Sequence, residues 1–139
     1  MPHVYLEQVC RPEQSVNRLF NHLGVEVVSI GPDFARLRMR IKPELIQGAG
    51  LVGGGILATL LDEAMAHAVL AGNAPCEQTT TVDMNVSYLR PVNDGAQLLC
   101  EARVIKRGRR VVFAQAVIRR EDEPGEPETA RATATFLTV

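Results

Sequence analysis

Residues 53–70 read GGGILATLLDEAMAHAVL, and Asp62 and Glu63 are the only acidic or basic side chains among them apart from His67. Strong helix formers dominate after the glycines, so the stretch predicts one helix that is apolar on nearly every side. Such a helix is wrapped by other elements rather than laid on a surface. Its carboxylates then stand mid-helix, where burial strips hydration from a charge unless something pairs or uses it. Asp62 is therefore a site candidate. On the helical wheel its neighbours are Ala58, Thr59, Met65 and Ala66, mostly small side chains that leave room for another molecule. Glu63 points elsewhere, toward Thr59, Leu60 and His67.

The start of this helix supplies a complementary half. Gly53, Gly54 and Gly55 carry no Cβ, so a ligand can approach the backbone closely, and the first turn has N–H groups without intrahelical acceptors. With the positive end of the helix dipole, those donors suit a carbonyl oxygen that becomes negative during acyl transfer. Three glycines equally suit a turn where a helix packs tightly under a sheet. The acid downstream tips the balance toward a site.

The chain around this helix has 139 residues, 46% of them hydrophobic, and a net charge of −1. That is the size and composition of one globular domain over residues 1–139, and the near-neutral charge removes the global electrostatic case for nucleic-acid binding. No basic segment followed by an apolar run opens the sequence, and the central helix is interrupted by two acids and a histidine. Neither a signal peptide nor a membrane span is expected, and a cytoplasmic location is. Cys10, Cys76 and Cys100 are odd in number and lack metal-ligand spacing, which fits reduced, structural thiols.

Before the central stretch, Pro12 followed by Val16, Leu19, Phe20 and Leu23 predicts a short amphipathic helix over residues 12–23, ended by Gly24. Residues 25–30 and 35–41 predict a hairpin turning at 31–33, with Leu37, Met39 and Ile41 alternating with arginines on a wet face. Residues 43–52 form a loop leading to the helix, and 72–76 end it. Strands follow at 79–89, 97–106, 110–120 and 129–138, with a turn at 107–109 and an acidic, solvated tip at 121–128. The fold class is α+β: a curved antiparallel sheet wrapped around one long central helix.

Three motifs now stand in order: GGILATLLD at 54–62, TVDMNVSYLRP at 81–91, and V-x-x-x-G-R-R-x-x-F-A at 104–114. Together they resemble the hotdog-fold acyl-CoA thioesterases of the phenylacetate-degradation (PaaI-like) branch, over essentially residues 15–138. The resemblance implies a hotdog fold, hydrolysis of acyl- or aryl-CoA thioesters, no cofactor or metal, and a homodimer or dimer of dimers with sites at the subunit interface. It implies Asp62 as nucleophile or general base, the Gly54 N–H as polariser of the thioester carbonyl, and Gln47 as an aid in orienting carbonyl or water. Thr81 matches a Ser or Thr position contributed by the neighbouring subunit. Where the family usually has histidine before its glycine pair, this chain has Gly53.

The chemistry is compatible with that resemblance. A thioester carbonyl is reactive enough for one carboxylate and one or two preorganised N–H donors, without a serine nucleophile; no G-x-S-x-G is present. A zinc reading would begin from Glu63 and His67, but no H-E-x-x-H pattern or third ligand is indicated. The cluster Lys106, Arg107, Arg109 and Arg110 reads alone as a charged turn; beside a thioesterase it suits coenzyme A phosphates, with Arg90 joining it. Gly53 and Gly55 are expected near substrate, whereas Met84, Val86 and Tyr88 read as sheet packing. Gly53 in place of histidine also admits a second function, a hotdog module that binds or senses acyl-CoA without turnover. Retention of Asp62 favours the enzyme.

Overall fold

The computed structural model describes residues 2–139; residue 1, the first of the expected domain, lies outside them. Two short helices, α1 (Pro2–Val9) and α2 (Arg18–Leu23), precede a hairpin of β1 (Val25–Gly31) and β2 (Phe34–Arg40). A single 3-10 turn at Pro43–Leu45 leads to the long helix α3 (Gly54–Gly72). Four strands complete the chain: β3 (Thr79–Tyr88), β4 (Gln97–Arg107), β5 (Val111–Arg120) and β6 (Glu128–Thr138). All pair antiparallel in one sheet of order β1-β2-β4-β5-β6-β3, which leaves β1 and β3 at its edges.

The sheet covers α3 as its apolar composition requires. Leu57, Leu60, Leu61, Ala64, Met65, Ala68 and Val69 are buried against inward residues of the strands, among them Leu37, Met39, Leu98, Cys100, Ala114, Ala116, Ile118 and Phe136. Small residues on β5 and β6 let the sheet approach the helix closely, and burial of this interface supplies the main stabilising free energy. By length and composition α3 could cross a bilayer, but here its apolar surface is met by strands. On β2 the alternation is as expected, with Ala35, Leu37 and Met39 inside and arginines outside.

Two local expectations are corrected. The helix expected over 12–23 begins only after Asn17, whose side chain accepts from the Phe20 N–H and so fixes the first turn. Val16 and Leu19, counted as an apolar face, are exposed, and α1 precedes this helix where no element was foreseen. The acidic tip is solvated as expected, with residues 122–126 exposed, and it is tethered at its base: Arg38 donates two hydrogen bonds to Glu121 at 2.7 and 2.9 Å, and Arg120 binds Asp122. Of the three thiols only Cys100 is buried; Cys10 and Cys76 are exposed.

Candidate active site

Asp62 lies on α3 beside β3. The Thr81 hydroxyl donates to Asp62 Oδ1 at 2.8 Å. This contact depends on an irregularity: the β3–β6 register shifts between Thr81 and Asp83, leaving Val82 as an extra residue. Past the bulge, Met84, Val86 and Tyr88 pair with Ala134, Ala132 and Ala130 and face α3, while Asp83, Asn85 and Ser87 are exposed. Strict alternation would send Thr81 outward with Asp83. The bulge instead aligns it with buried Phe136 and aims its hydroxyl at the helix. The resemblance assigned the Thr81 position to the neighbouring subunit; here the bond is made within one chain.

The second half of the site lies at the start of α3. Gly53 is the N-cap, at φ −64° and ψ 132°, and its own N–H donates to the Leu45 carbonyl at 3.1 Å. Gly54 and Gly55 are the first helical residues, so their N–H groups have no acceptor one turn back. Both glycines are exposed. Gln47 sits on the preceding loop, with its side-chain oxygen accepting the Ala49 N–H at 2.6 Å. Because that backbone group donates, the amide oxygen must face it, which leaves the Gln47 NH2 as the outward donor. Gln47, Gly54 and Arg90 line one cavity of about 290 Å3 together with Leu51, Val52, Leu57 and Tyr88.

Tyr88 belongs to this site, contrary to the expectation that it serves sheet packing. Its hydroxyl donates to the Gly54 carbonyl at 2.8 Å and about half of the residue is exposed. Period-two alternation places Tyr88 on the helix-facing side, but the sequence carries no signal that the helix start lies under its ring. The acid half and the donor half remain apart: Asp62 does not line the Gln47–Gly54 cavity, and eight residues of helix separate Asp62 from Gly54 by roughly 12 Å.

The basic cluster divides. Arg107 is committed to structure: it pairs with Asp33 at 2.7 Å and donates to the Asn73 side chain and the Val69 carbonyl at the end of α3. That corrects its expected place at coenzyme A. Lys106, Arg109 and Arg110 are exposed and form no ion pair among the described residues. Arg107 touches Val69, so this turn lies at the far end of α3 from Gly54, on the order of 22 Å along the helix. Arg90 does reach the cavity, where its guanidinium donates to the Glu128 carbonyl.

A polar chain lies on the Glu63 face of α3. His67 Nδ1 is 2.7 Å from the Glu63 carbonyl, which can only accept, so this nitrogen carries the proton. In the neutral ring Nε2 then accepts from the Tyr5 hydroxyl at 2.8 Å, and Tyr5 in turn accepts from Asn17 Nδ2. Burial lowers the His67 pKa, against the raising effect of the Glu63 backbone bond. Burial also pushes the Glu63 carboxyl up to about 7, helped by the negative charge of Asp62. Glu63 carries the perturbed carboxyl, but it faces His67 at 3.7 Å, whereas Asp62 is held by Thr81. Among the described residues no cluster of three His, Cys, Asp or Glu could hold a metal.

A six-stranded antiparallel sheet wrapped on one long apolar helix defines a hotdog fold, and this one carries an oriented carboxylate in that helix and N–H donors at its start. Residues 49–126 match the Thioesterase superfamily. A protein of Haemophilus influenzae, provisionally assigned as an esterase, is 31% identical over 120 residues, covering 84% of this chain and 80% of that one. Mouse acyl-coenzyme A thioesterase 13 is 28% identical over 90 residues, covering 65% of this chain and 64% of that one. The solved structure of a phenylacetic acid degradation-related protein from Ralstonia eutropha JMP134 superposes with a TM-score of 0.83 at 26% identity, covering 96% of this chain and 98% of that chain. The chain belongs to the Thioesterase superfamily and has its hotdog fold.

Proposed function

We propose that this protein hydrolyses acyl- or aryl-CoA thioesters to the free acid and coenzyme A, with Asp62 as general base toward water or as nucleophile. The observation that carries the reading is the Thr81 bond to Asp62 Oδ1. It orients the carboxylate and leaves the second oxygen to face water or a thioester carbon. The Gly54 N–H, assisted by the Gln47 amide, polarises the carbonyl and stabilises the oxyanion that forms on it. Collapse of the tetrahedral intermediate expels the coenzyme A thiolate, a good leaving group that needs no strong acid. Lys106, Arg109 and Arg110 hold the nucleotide phosphates, with Arg90 closer to the cavity. Mouse acyl-coenzyme A thioesterase 13 supports the choice of acyl donor.

The two halves of the site meet between chains in this reading. One thioester carbon needs its attacking oxygen and its oxyanion donor each within about 3 to 3.5 Å, and roughly 12 Å of helix separates Asp62 from Gly54 in one chain. A twofold pair with antiparallel α3 helices brings Gly54 of one copy to Asp62 of the other and creates two equivalent sites. Release of free thiol should be followed over short, medium, long and aryl CoA thioesters, for wild type and Asp62→Asn. The variant should lose several orders of magnitude in kcat while keeping its fold and its affinity for coenzyme A. Wild-type turnover in Asp62→Asn would remove Asp62 from the chemistry.

A further inference from the structure

The cavity at the start of α3 has one wall whose purpose the hydrolytic reading leaves unexplained. Tyr88 is 53% exposed, although an aromatic ring on the helix-facing side of a strand would ordinarily be covered. Its hydroxyl donates to the Gly54 carbonyl. That carbonyl already accepts the helical bond from one turn ahead, and its second lone pair takes the phenol without breaking the helix. The ring also covers Gly54 itself: a Cβ built there would stand 3.2 Å from Tyr88 Cζ and 3.3 Å from its hydroxyl oxygen. Only glycine leaves this space without moving the ring. The same glycine thus presents a free N–H and accepts an aromatic wall beside it.

We propose that Tyr88 is a positioning and specificity-determining residue: its hydroxyl fixes the first turn of α3, and its ring limits the size of the acyl group whose carbonyl reaches the Gly54 N–H. This rests on the thioesterase reading of the site. A carbonyl oxygen at hydrogen-bond distance from Gly54 puts the carbons next to it against the Tyr88 ring. The remaining walls within one chain are Gln47, Leu51, Val52, Leu57 and the segment 89–92, and the volume of about 290 Å3 is at the small end for ligand clefts. The structure therefore assigns the site to compact acyl groups unbranched next to the carbonyl. Such a group covers the exposed ring, and a bulkier one meets it.

The test compares wild type, Tyr88→Phe and Tyr88→Ala on a series of CoA thioesters running from acetyl to dodecanoyl, with isobutyryl and phenylacetyl added. Tyr88→Phe keeps the wall and loses the tether. It should retain the wild-type ranking of substrates while kcat falls by about 3- to 10-fold on all of them, with KM nearly unchanged. Tyr88→Ala removes the wall and should shift the ratio of kcat/KM toward branched and long groups by about 10-fold or more. Tyr88→Leu, which fills part of the space, should fall between them and serves if the alanine variant does not fold. An unchanged ranking in the folded small-residue variant overturns the proposal, as does a shift in Tyr88→Phe equal to that in Tyr88→Ala. Should wild type turn over none of these thioesters, hydrolysis itself fails, and calorimetric binding of the same series then decides the wall: an identical size ranking for wild type and Tyr88→Ala refutes it.

Discussion

The Glu63 carboxyl is pushed up to about 7, first by burial and then by the charge of Asp62 next to it, and this has a measurable sign. Between the ordinary carboxyl pKa and about 7 the native state binds more protons than the unfolded chain, so this group's contribution to stability falls as pH rises through that window. His67 works the other way. Its lowered pKa means that the unfolded chain takes the proton first, and stability is lost as pH falls below the ordinary histidine value. Comparing wild type with Glu63→Gln separates them, because the histidine is common to both. In chemical denaturation at pH 5 and pH 8 the variant should gain on wild type by about 2 to 3 kcal/mol across the interval; a pH-independent difference would show that Glu63 titrates normally. Activity should change little, since Glu63 faces His67 rather than the cavity. Asp62 was legible in sequence because a carboxylate in an apolar helix is rare, and wheel geometry separated it from Glu63. Thr81 was legible only through family resemblance, since its inward aim comes from a bulge that alternation does not show. Tyr88 was missed for a related reason: the pattern gives the face of a strand but not which turn of helix lies beneath it.

At the scale of elements, the two ends of α3 are held by different means. Its start is capped by glycines and tethered from β3. Its end is clamped by Arg107, which reaches Val69, Asn73 and Asp33 from the end of β4. Gly72 lies directly beneath this clamp: a Cβ there would overlap Asp33 Oδ1 and the Arg107 guanidinium. Arg107→Ala should cost about 1 to 3 kcal/mol by denaturation, because a carboxylate, an amide and a helix-terminal carbonyl lose their donor together, and Gly72→Ala should cost a similar amount by displacing the pair. Paired Ala substitutions at Arg109 and Arg110 should leave stability nearly unchanged but raise KM for CoA thioesters more than for a pantetheine thioester lacking the nucleotide. Equal KM effects on the two substrates would make that turn purely structural. The strands and α3 were readable to within a few residues because their periodicities are strong and their turns carry Gly, Pro and Asp. Arg107 was not separable from its neighbours, since its partners Asp33 and Asn73 are distant in sequence. The helix expected over 12–23 fell short because its apolar spacing was counted without its cap: Asn17, not Pro12, marks the start.

For the whole molecule, the proposed division of the site between two copies follows from the length of one helix and can be tested without knowing the acyl group. The edge strand β3 carries both Thr81 and Tyr88, so it braces the acid half and the donor half of each chain separately. Gly54→Pro is a suitable lesion for the donor half. Proline at the first helical position lacks only an N–H that has no helical acceptor, and Gly53 at φ −64° and ψ 132° already has the backbone that a following proline requires. The Tyr88 ring must give by a few tenths of an ångström, since it stands 3.2 Å from a Cβ at residue 54. Asp62→Asn is the lesion for the acid half. Each variant alone should fold, self-associate and be inactive. When the two are mixed in equal amounts and allowed to exchange subunits, about half the dimers are mixed, and each mixed dimer has one intact and one doubly damaged site. Recovered activity should therefore approach about a quarter of wild type. Subunit exchange is checked independently by tagging one variant and isolating mixed dimers. If those isolated dimers remain dead, each chain must carry its own complete site, and the roughly 12 Å between Gly54 and Asp62 would have to be closed by movement within one chain.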